Sequence, residues 1–260
     1  MAMGEAQKQG LACLYIDLER TYDPTYAAIL GVDSEKVLAP TFESGEQAID
    51  GTEFLIQNWY EIATNLDIPT ELGVVVIDSV AALLPQAEVD SDIGDSHVGL
   101  VGRLMSKVSR KFTPLLDNAN VCMMYINQLR ATINSAPFAP KTTTTGGNAI
   151  QYYASQRVDV RRIGQIKSGG QVVGCHVRVM LNKDKVGGNE ALSTEVEMYH
   201  GKGISTIGDI IKLSEEKGLI TKGGAWYHWG DEKFQGRDGL KKHLADNPDK
   251  LEELRKVVLE

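Results

Sequence analysis

The chain has 260 residues, 42% of them hydrophobic, which is enough for one well-packed domain with room for a small second one. It contains no run of 18 or more apolar residues, so no membrane-spanning helix is expected, and the polar opening Met1–Gly10 carries no signal-peptide core. The net charge of -8 argues on its face against a nucleic-acid partner, and neither the three cysteines nor the five histidines show metal-ligand spacing.

In chain order, Met1–Gly10 reads as the end of a helix, with Gly10 suited to its C-terminal cap. Leu11–Ile16 is a short apolar run and predicts a strand. Residues 44–66 place Ile49, Leu55, Ile56, Trp59 and Ile62 at helical spacing. Val74–Ile77 is a four-residue apolar run that ends in Asp78. Residues 97–117 put Val101, Leu104, Met105, Val108, Phe112, Leu115 and Leu116 on one helical face. Val121–Ile126 predicts another buried strand. Strands alternating with helices, the strands being almost continuously apolar, indicate an α/β core: a mostly parallel sheet covered by helices on both faces.

The pattern changes from 157 to 199, where Arg157–Ile163, Val172–Leu181 and Ser193–Tyr199 predict strands with no long helices between them, an antiparallel extension of the core. After about Gly203 a small α+β unit is expected, with helices at Thr206–Lys217, Asp238–Ala245 and Pro248–Leu259 and a hairpin at GGAWYHWG. The expected division is therefore a core of 1–203 and a small C-terminal domain of 204–260. The polar segment Leu129–Gly147, with two prolines and four consecutive threonines, is expected to be a long loop. Cys13, Cys122 and Cys175 each lie in an apolar run and are expected to be buried free thiols, as suits a reducing cytoplasm.

Charge is distributed unevenly. Residues 1–97 carry three Lys and Arg against eighteen Asp and Glu, whereas residues 98–186 carry thirteen against three. So basic a block in an acidic chain is either a polyanion surface or a face that complements an acidic neighbour.

Three predicted strands end in polar residues. VVVIDS delivers Asp78 at the end of a buried strand, the place from which a carboxylate holds a magnesium ion, through water, beside nucleotide phosphates; an Asp capping the next helix has the same pattern. YIDLERTYDP delivers Glu19, a carboxylate able to accept a proton from an attacking water. YINQLR delivers Asn127 and Gln128, and an amide there can contact a terminal phosphate.

The segments IDSVAALLPQAE, IGDSHVGL, NQLR, TTTTGGNA, YYASQRVDVRRIG and GAWY resemble the RecA family of DNA strand-exchange proteins, bacterial and phage, in order and from about Gln7 to the C-terminus. The resemblance implies a RecA-like ATPase core and a cytoplasmic protein of homologous recombination, DNA repair and the SOS response. Such a protein binds single-stranded DNA as a homo-oligomeric helical filament, pairs it with homologous duplex and uses ATP and Mg2+. Glu19 then matches the water-activating glutamate, Asp23 and Tyr26 the adenine contacts, Asp78 and Ser79 the magnesium-site pair, and Gln128 the switch that senses the γ-phosphate. Lys183 and Lys185 match lysines that reach the ATP of a neighbouring subunit.

On the DNA side, Asp90–His97 and Arg130–Thr145 match the two loops of the filament axis. Arg103 and Arg110 match backbone contacts, Arg130 is a DNA-binding candidate at the start of the second loop, Ile133 matches a wedge between bases, and Gly146 and Gly147 open a helix whose amides can hold a phosphate. Arg161, Arg162 and Arg178 match positions of a second, duplex-capturing site. All three arginines lie in strands, where basic side chains often only solubilise an edge.

The sequence also departs from the family. GxxxxGK[ST], the phosphate loop that resemblance places just before Met1, does not occur in the 260 residues. This implies a late start, a separate chain supplying that loop, or a truncated relative that binds DNA or filaments without hydrolysing ATP. Residues 51–72 are a longer helical stretch than the bacterial pattern, the second loop is about one residue shorter, Met180 stands where a lysine is expected, and the sequence reaches Glu260 without the acidic tail that the resemblance leads one to expect.

Overall fold

The computed structural model describes residues 1–92, 99–131, 142–188 and 191–259. The chain divides into two compact units, Met1–Ser155 and Gln156–Glu260.

The first unit runs α1 (Ala2–Lys8), β1 (Ala12–Asp17), α2 (Pro24–Ile29), β2 (Val37–Leu38), α3 (Gly45–Gln57), α4 (Trp59–Leu66), β3 (Leu72–Asp78), α5 (Gln86–Val89), α6 (Leu100–Ala119), β4 (Cys122–Tyr125), β5 (Leu129–Ala131), β6 (Thr142–Thr144) and α7 (Gly147–Tyr153). Its main sheet has the order β2-β1-β3-β4 with every pair parallel. Alternation along the strands sorts the side chains. Ala12, Leu14 and Ile16 of β1 and Val75 and Ile77 of β3 join Ile49 and Ile56 of α3, Trp59 and Ala63 of α4, and Met105, Val108 and Phe112 of α6 in one core. Each fully buried aliphatic or aromatic side chain there contributes roughly 1.5–3 kcal/mol. Cys13, Tyr15 and Asp17 point to the opposite face, where α1 packs on β1 and Cys13 Sγ lies 3.6 Å from the carbonyl of Met3.

Four expectations need correction. The 44–66 helix is two helices: Asn58 leaves helical geometry and closes the first one, its backbone N–H and its side-chain amide both donating to the carbonyl of Phe54, at 3.0 and 2.8 Å. Strand β4 is not buried. It lies at the edge of the sheet, with Met123 and Tyr125 packed on the core and Met124 and Ile126 exposed. Cys122 is consequently exposed, while Cys13 and Cys175 are buried. Leu129–Gly147 is not structureless at its ends, because β5 and β6 pair antiparallel, Leu129 with Thr144 and Ala131 with Thr142.

The second unit runs β7 (Gln156–Ser168), β8 (Gln171–Asp184), β9 (Ser193–Tyr199), β10 (Gly203–Ile204), α8 (Thr206–Glu216), β11 (Ile220–Gly223), β12 (Trp226–Trp229), β13 (Glu232–Gln235), α9 (Gly236–Asp246) and α10 (Pro248–Leu259). An antiparallel sheet of order β10-β9-β8-β7 is followed by a three-stranded antiparallel sheet, β11-β12-β13. The GGAWYHWG hairpin is thus extended by a third strand. Ile211, Ile220, Tyr227, Leu240, Leu244 and Leu254 form a second core beneath α8, α9 and α10. Glu197 of β9 is tied to Lys241 and Arg237 of α9, which fastens the sheet to these helices.

Candidate nucleotide site and nucleic-acid surface

Parallel pairing brings the ends of β1, β3 and β4 to one edge of the sheet, where open α/β sheets bind ligands. Asp17 is in register with Asp78, and Ile77 with Tyr125. The ladder continues past the strands: Leu18 N–H donates to the Asp78 carbonyl at 2.8 Å, Ile126 N–H to Ile77 at 3.0 Å and Val80 N–H to Ile126 at 2.9 Å. On this frame the Ser79 hydroxyl donates to Glu19 Oε1 at 2.5 Å, and Gln128 Nε2 donates to the same oxygen at 3.3 Å. Glu19, Ser79 and Gln128, from three separate strands, therefore meet. Glu19 Oε2 receives no hydrogen bond from a described residue.

Asp78 is half-buried, and one of its carboxylate oxygens, Oδ2, accepts a hydrogen bond from the Tyr15 hydroxyl. Burial, with Asp78 adding to it, pushes the Tyr15 phenol well above its ordinary value, so it stays a donor. Asp17 is buried and serves the turn after β1, accepting from the amides of Thr21 at 3.1 Å and Tyr22 at 2.8 Å. Among the described residues no three His, Cys, Asp or Glu side chains converge as a metal cage. One carboxylate with a hydroxyl beside it fits a magnesium ion that keeps most of its water.

Asp23 caps α2, accepting from the amides of Thr25 at 2.8 Å and Tyr26 at 3.2 Å. The same cap sets the first turn that carries Tyr26, which is 45% exposed and free to stack.

From Gln128 the chain enters the β5–β6 pair, which carries Arg130 on an exposed strand. Asn127, a residue that sequence reading noted only as a strand end, spans both sides of this pair. Its Oδ1 accepts from the Gln128 amide at 2.8 Å and its Nδ2 donates to the Thr145 carbonyl at 2.8 Å. Ile133 and residues 93–97 of the first loop lie outside the described residues. Arg103 and Arg110 are exposed on α6, with Lys107 exposed between them, and none of the three side chains makes a hydrogen bond or ion pair with a described residue. Lys107 stands four residues after Arg103 and three before Arg110, which puts it on the same helix face, a signal already present in the spacing. Gly146 and Gly147 have positive φ, +90° and +71°, and a Cβ on Gly146 would stand 2.7 Å from Ile150 Cδ1 and 3.0 Å from Val80 Cγ1. Close packing of α7 on α6 at Gly102 is thus a reason for these glycines that needs no ligand.

The remaining candidates lie in the second unit. Arg161 and Arg178 are directly opposed on β7 and β8 and so share a face, while Arg162 points to the other. Arg161 makes two bonds to Asp159, at 2.7 and 2.8 Å, and Arg178 reaches Glu195 at 3.2 Å. Lys183 and Lys185 flank Asp184 where β8 ends. No helix among the described residues is long and apolar enough to cross a membrane.

The RecA N-terminal domain family model matches residues 1–205 and the RecA C-terminal domain model residues 208–260. The chain is similar to the Protein RecA of a Nocardioides strain, with 44% identity over all of this chain and 71% of that protein. It is 42% identical to that of Nostoc punctiforme, over all of this chain and 69% of the relative, and 41% identical to that of Pseudomonas putida, over 98% and 69%. Strand ends that carry Glu19, Asp78 and Gln128 to one edge, and two domain models that together span nearly every residue, lead to one conclusion: the chain belongs to the RecA family.

Proposed function

We propose that the chain is the greater part of a homologous-recombination and DNA-repair protein of the cytoplasm that binds single-stranded DNA as a homo-oligomeric filament and exchanges strands under the control of ATP and Mg2+. The hydrogen-bonded chain from Glu19 through Gln128 and Asn127 to Thr145 carries this reading, because it joins the nucleotide edge to the root of the second loop within one unit. Residues 1–203 form the ATPase and DNA-binding core, and residues 204–260 a small domain with its own hydrophobic cluster. The phosphate-loop pattern GxxxxGK[ST] does not occur in these 260 residues.

Magnesium, held through water by Asp78 beside Ser79, would offset phosphate charge at the sheet edge. Glu19 Oε1 is held by Ser79, which leaves Oε2 to accept a proton from water. The 3.3 Å bond from Gln128 to Glu19 is long and easily exchanged for a phosphate oxygen. When Gln128 turns, Asn127 passes the movement to both strands of the β5–β6 pair, and so to Arg130 and the segment that carries Ile133. Tyr26, above its Asp23 cap, stacks on adenine, and Lys183 and Lys185 reach the nucleotide of the adjacent subunit. Arg103, Arg110 and the Gly146–Gly147 turn contact the DNA backbone, and Arg161, Arg162 and Arg178 face the incoming duplex.

The test is single-strand binding by fluorescence anisotropy over a salt series, together with ATP turnover. Binding independent of sequence and strongly salt-dependent is expected, and binding insensitive to salt would refute it. The 260 residues by themselves should show no DNA-stimulated ATP hydrolysis. Turnover that disappears in Glu19→Gln would mean that no outside phosphate loop is needed.

A further inference from the structure

Tyr15 is a polar residue at a position where the strand needs only an apolar one. It lies in the middle of β1, opposite Val76 of β3, on the sheet face away from the main core. Its ring packs on Tyr22 with centroids 5.0 Å apart. The ring is therefore fixed from the side, and its hydroxyl is aimed along the strand at Asp78 Oδ2. Two other acids border this face, but both are engaged elsewhere: Asp17 with the turn amides and Glu19 with Ser79 and Gln128.

We propose that Tyr15 is a positioning residue for the magnesium site: its hydroxyl holds one oxygen of Asp78 so that the other is presented to the water shell of the ion. The inference rests on the reading of Asp78 as the magnesium-holding carboxylate. A carboxylate at a strand end turns about two bonds, and a single-water link to a metal tolerates little of that freedom. A hydrogen bond to a charged acceptor is stronger than a neutral one and fixes the rotamer. Outer-shell partners of this kind commonly change metal affinity by 10–100-fold when removed. Packing gives no reason for the hydroxyl, since phenylalanine would fill the same space beside Tyr22.

Titration of the whole chain with Mn2+, followed by the electron paramagnetic resonance of the free ion and competed with Mg2+, tests the assignment. The wild-type chain should show a site that Asp78→Asn removes. Tyr15→Phe, which keeps the ring, should weaken that site roughly tenfold while the thermal melting curve stays in place. Tyr22→Phe removes a neighbouring hydroxyl that does not touch Asp78 and should leave Mn2+ affinity unchanged. Wild-type affinity in Tyr15→Phe overturns the role of Tyr15 and leaves Asp78 as read. Equal weakening in Tyr22→Phe assigns the effect to the aromatic pair and also overturns it. A chain with no Asp78-dependent site overturns the magnesium reading, and Tyr15 with it.

Discussion

Arg103, Lys107 and Arg110 on α6 of the first unit have no acid beside them among the described residues, whereas Arg161, Arg178, Arg237 and Lys241 of the second unit each hold a carboxylate. Arg161 and Arg178 come from the same cation-rich block, residues 98–186, as the α6 set, and a count of charges does not separate them. The difference teaches that a basic residue has one of two uses. Paired with a local acid, its charge goes into holding strands and helices together and little is left for a polyanion. Left alone on a helix face, it keeps a charge that is not offset by a neighbour and is available to a polyanion.

The largest expected effect strikes the paired set. Burial alone would raise the Glu197 carboxyl, but Lys241, Arg237 and Tyr199 outweigh it and hold the carboxyl below its usual range. Glu197→Gln should cost roughly 2 kcal/mol at neutral pH, because Lys241 is left half-buried without its partner. A carboxyl lowered in the folded state gives stability that is present above its unfolded value and lost as pH falls through the folded one. Denaturant melts of the wild type should therefore weaken below the ordinary glutamate range, and the Gln variant should lack that limb. Identical acid limbs in the two proteins would break the contrast.

On the unpaired set, Arg103→Ala with Arg110→Ala should lower the slope of log affinity against log salt for single strands by about 1.4, at 0.7 per phosphate contact, with no change in melting. A melting change without a slope change would reverse the assignment. Lys107→Ala should lower the same slope by about 0.7, and Lys107→Arg should keep it. The smallest effect is expected for Arg161→Ala, whose charge Asp159 already offsets, with duplex binding and its salt slope barely moved. A full 0.9 loss of slope there would show that this pair opens when duplex arrives.

Much of the site was legible because its residues end apolar runs. Asp78 ends a strand and Glu19 and Gln128 each follow one, and three strands leading to polar groups predict one edge once the sheet is parallel. The unread parts depend on what lies across space. Tyr15 looks like any strand aromatic until β3 is paired beside it, and Asn127 gains a role only when Thr145 returns through β6. Strand β4 reads as buried because its residues are apolar, yet its position at the sheet edge leaves Met124 and Cys122 exposed. The break at Asn58 was hidden because the apolar spacing continues through it.

By itself the sequence determined the α/β class, the order of the longer strands and helices, the buried face of α6 and the family, since these depend on local periodicity and on runs of residue types that few folds share. Tertiary structure alone decided which cations are neutralised, which strand forms the edge, and that Tyr15 meets Asp78. Each of these turns on distances between residues far apart in the chain, and such distances are set by strand register and packing, which no short window of sequence contains.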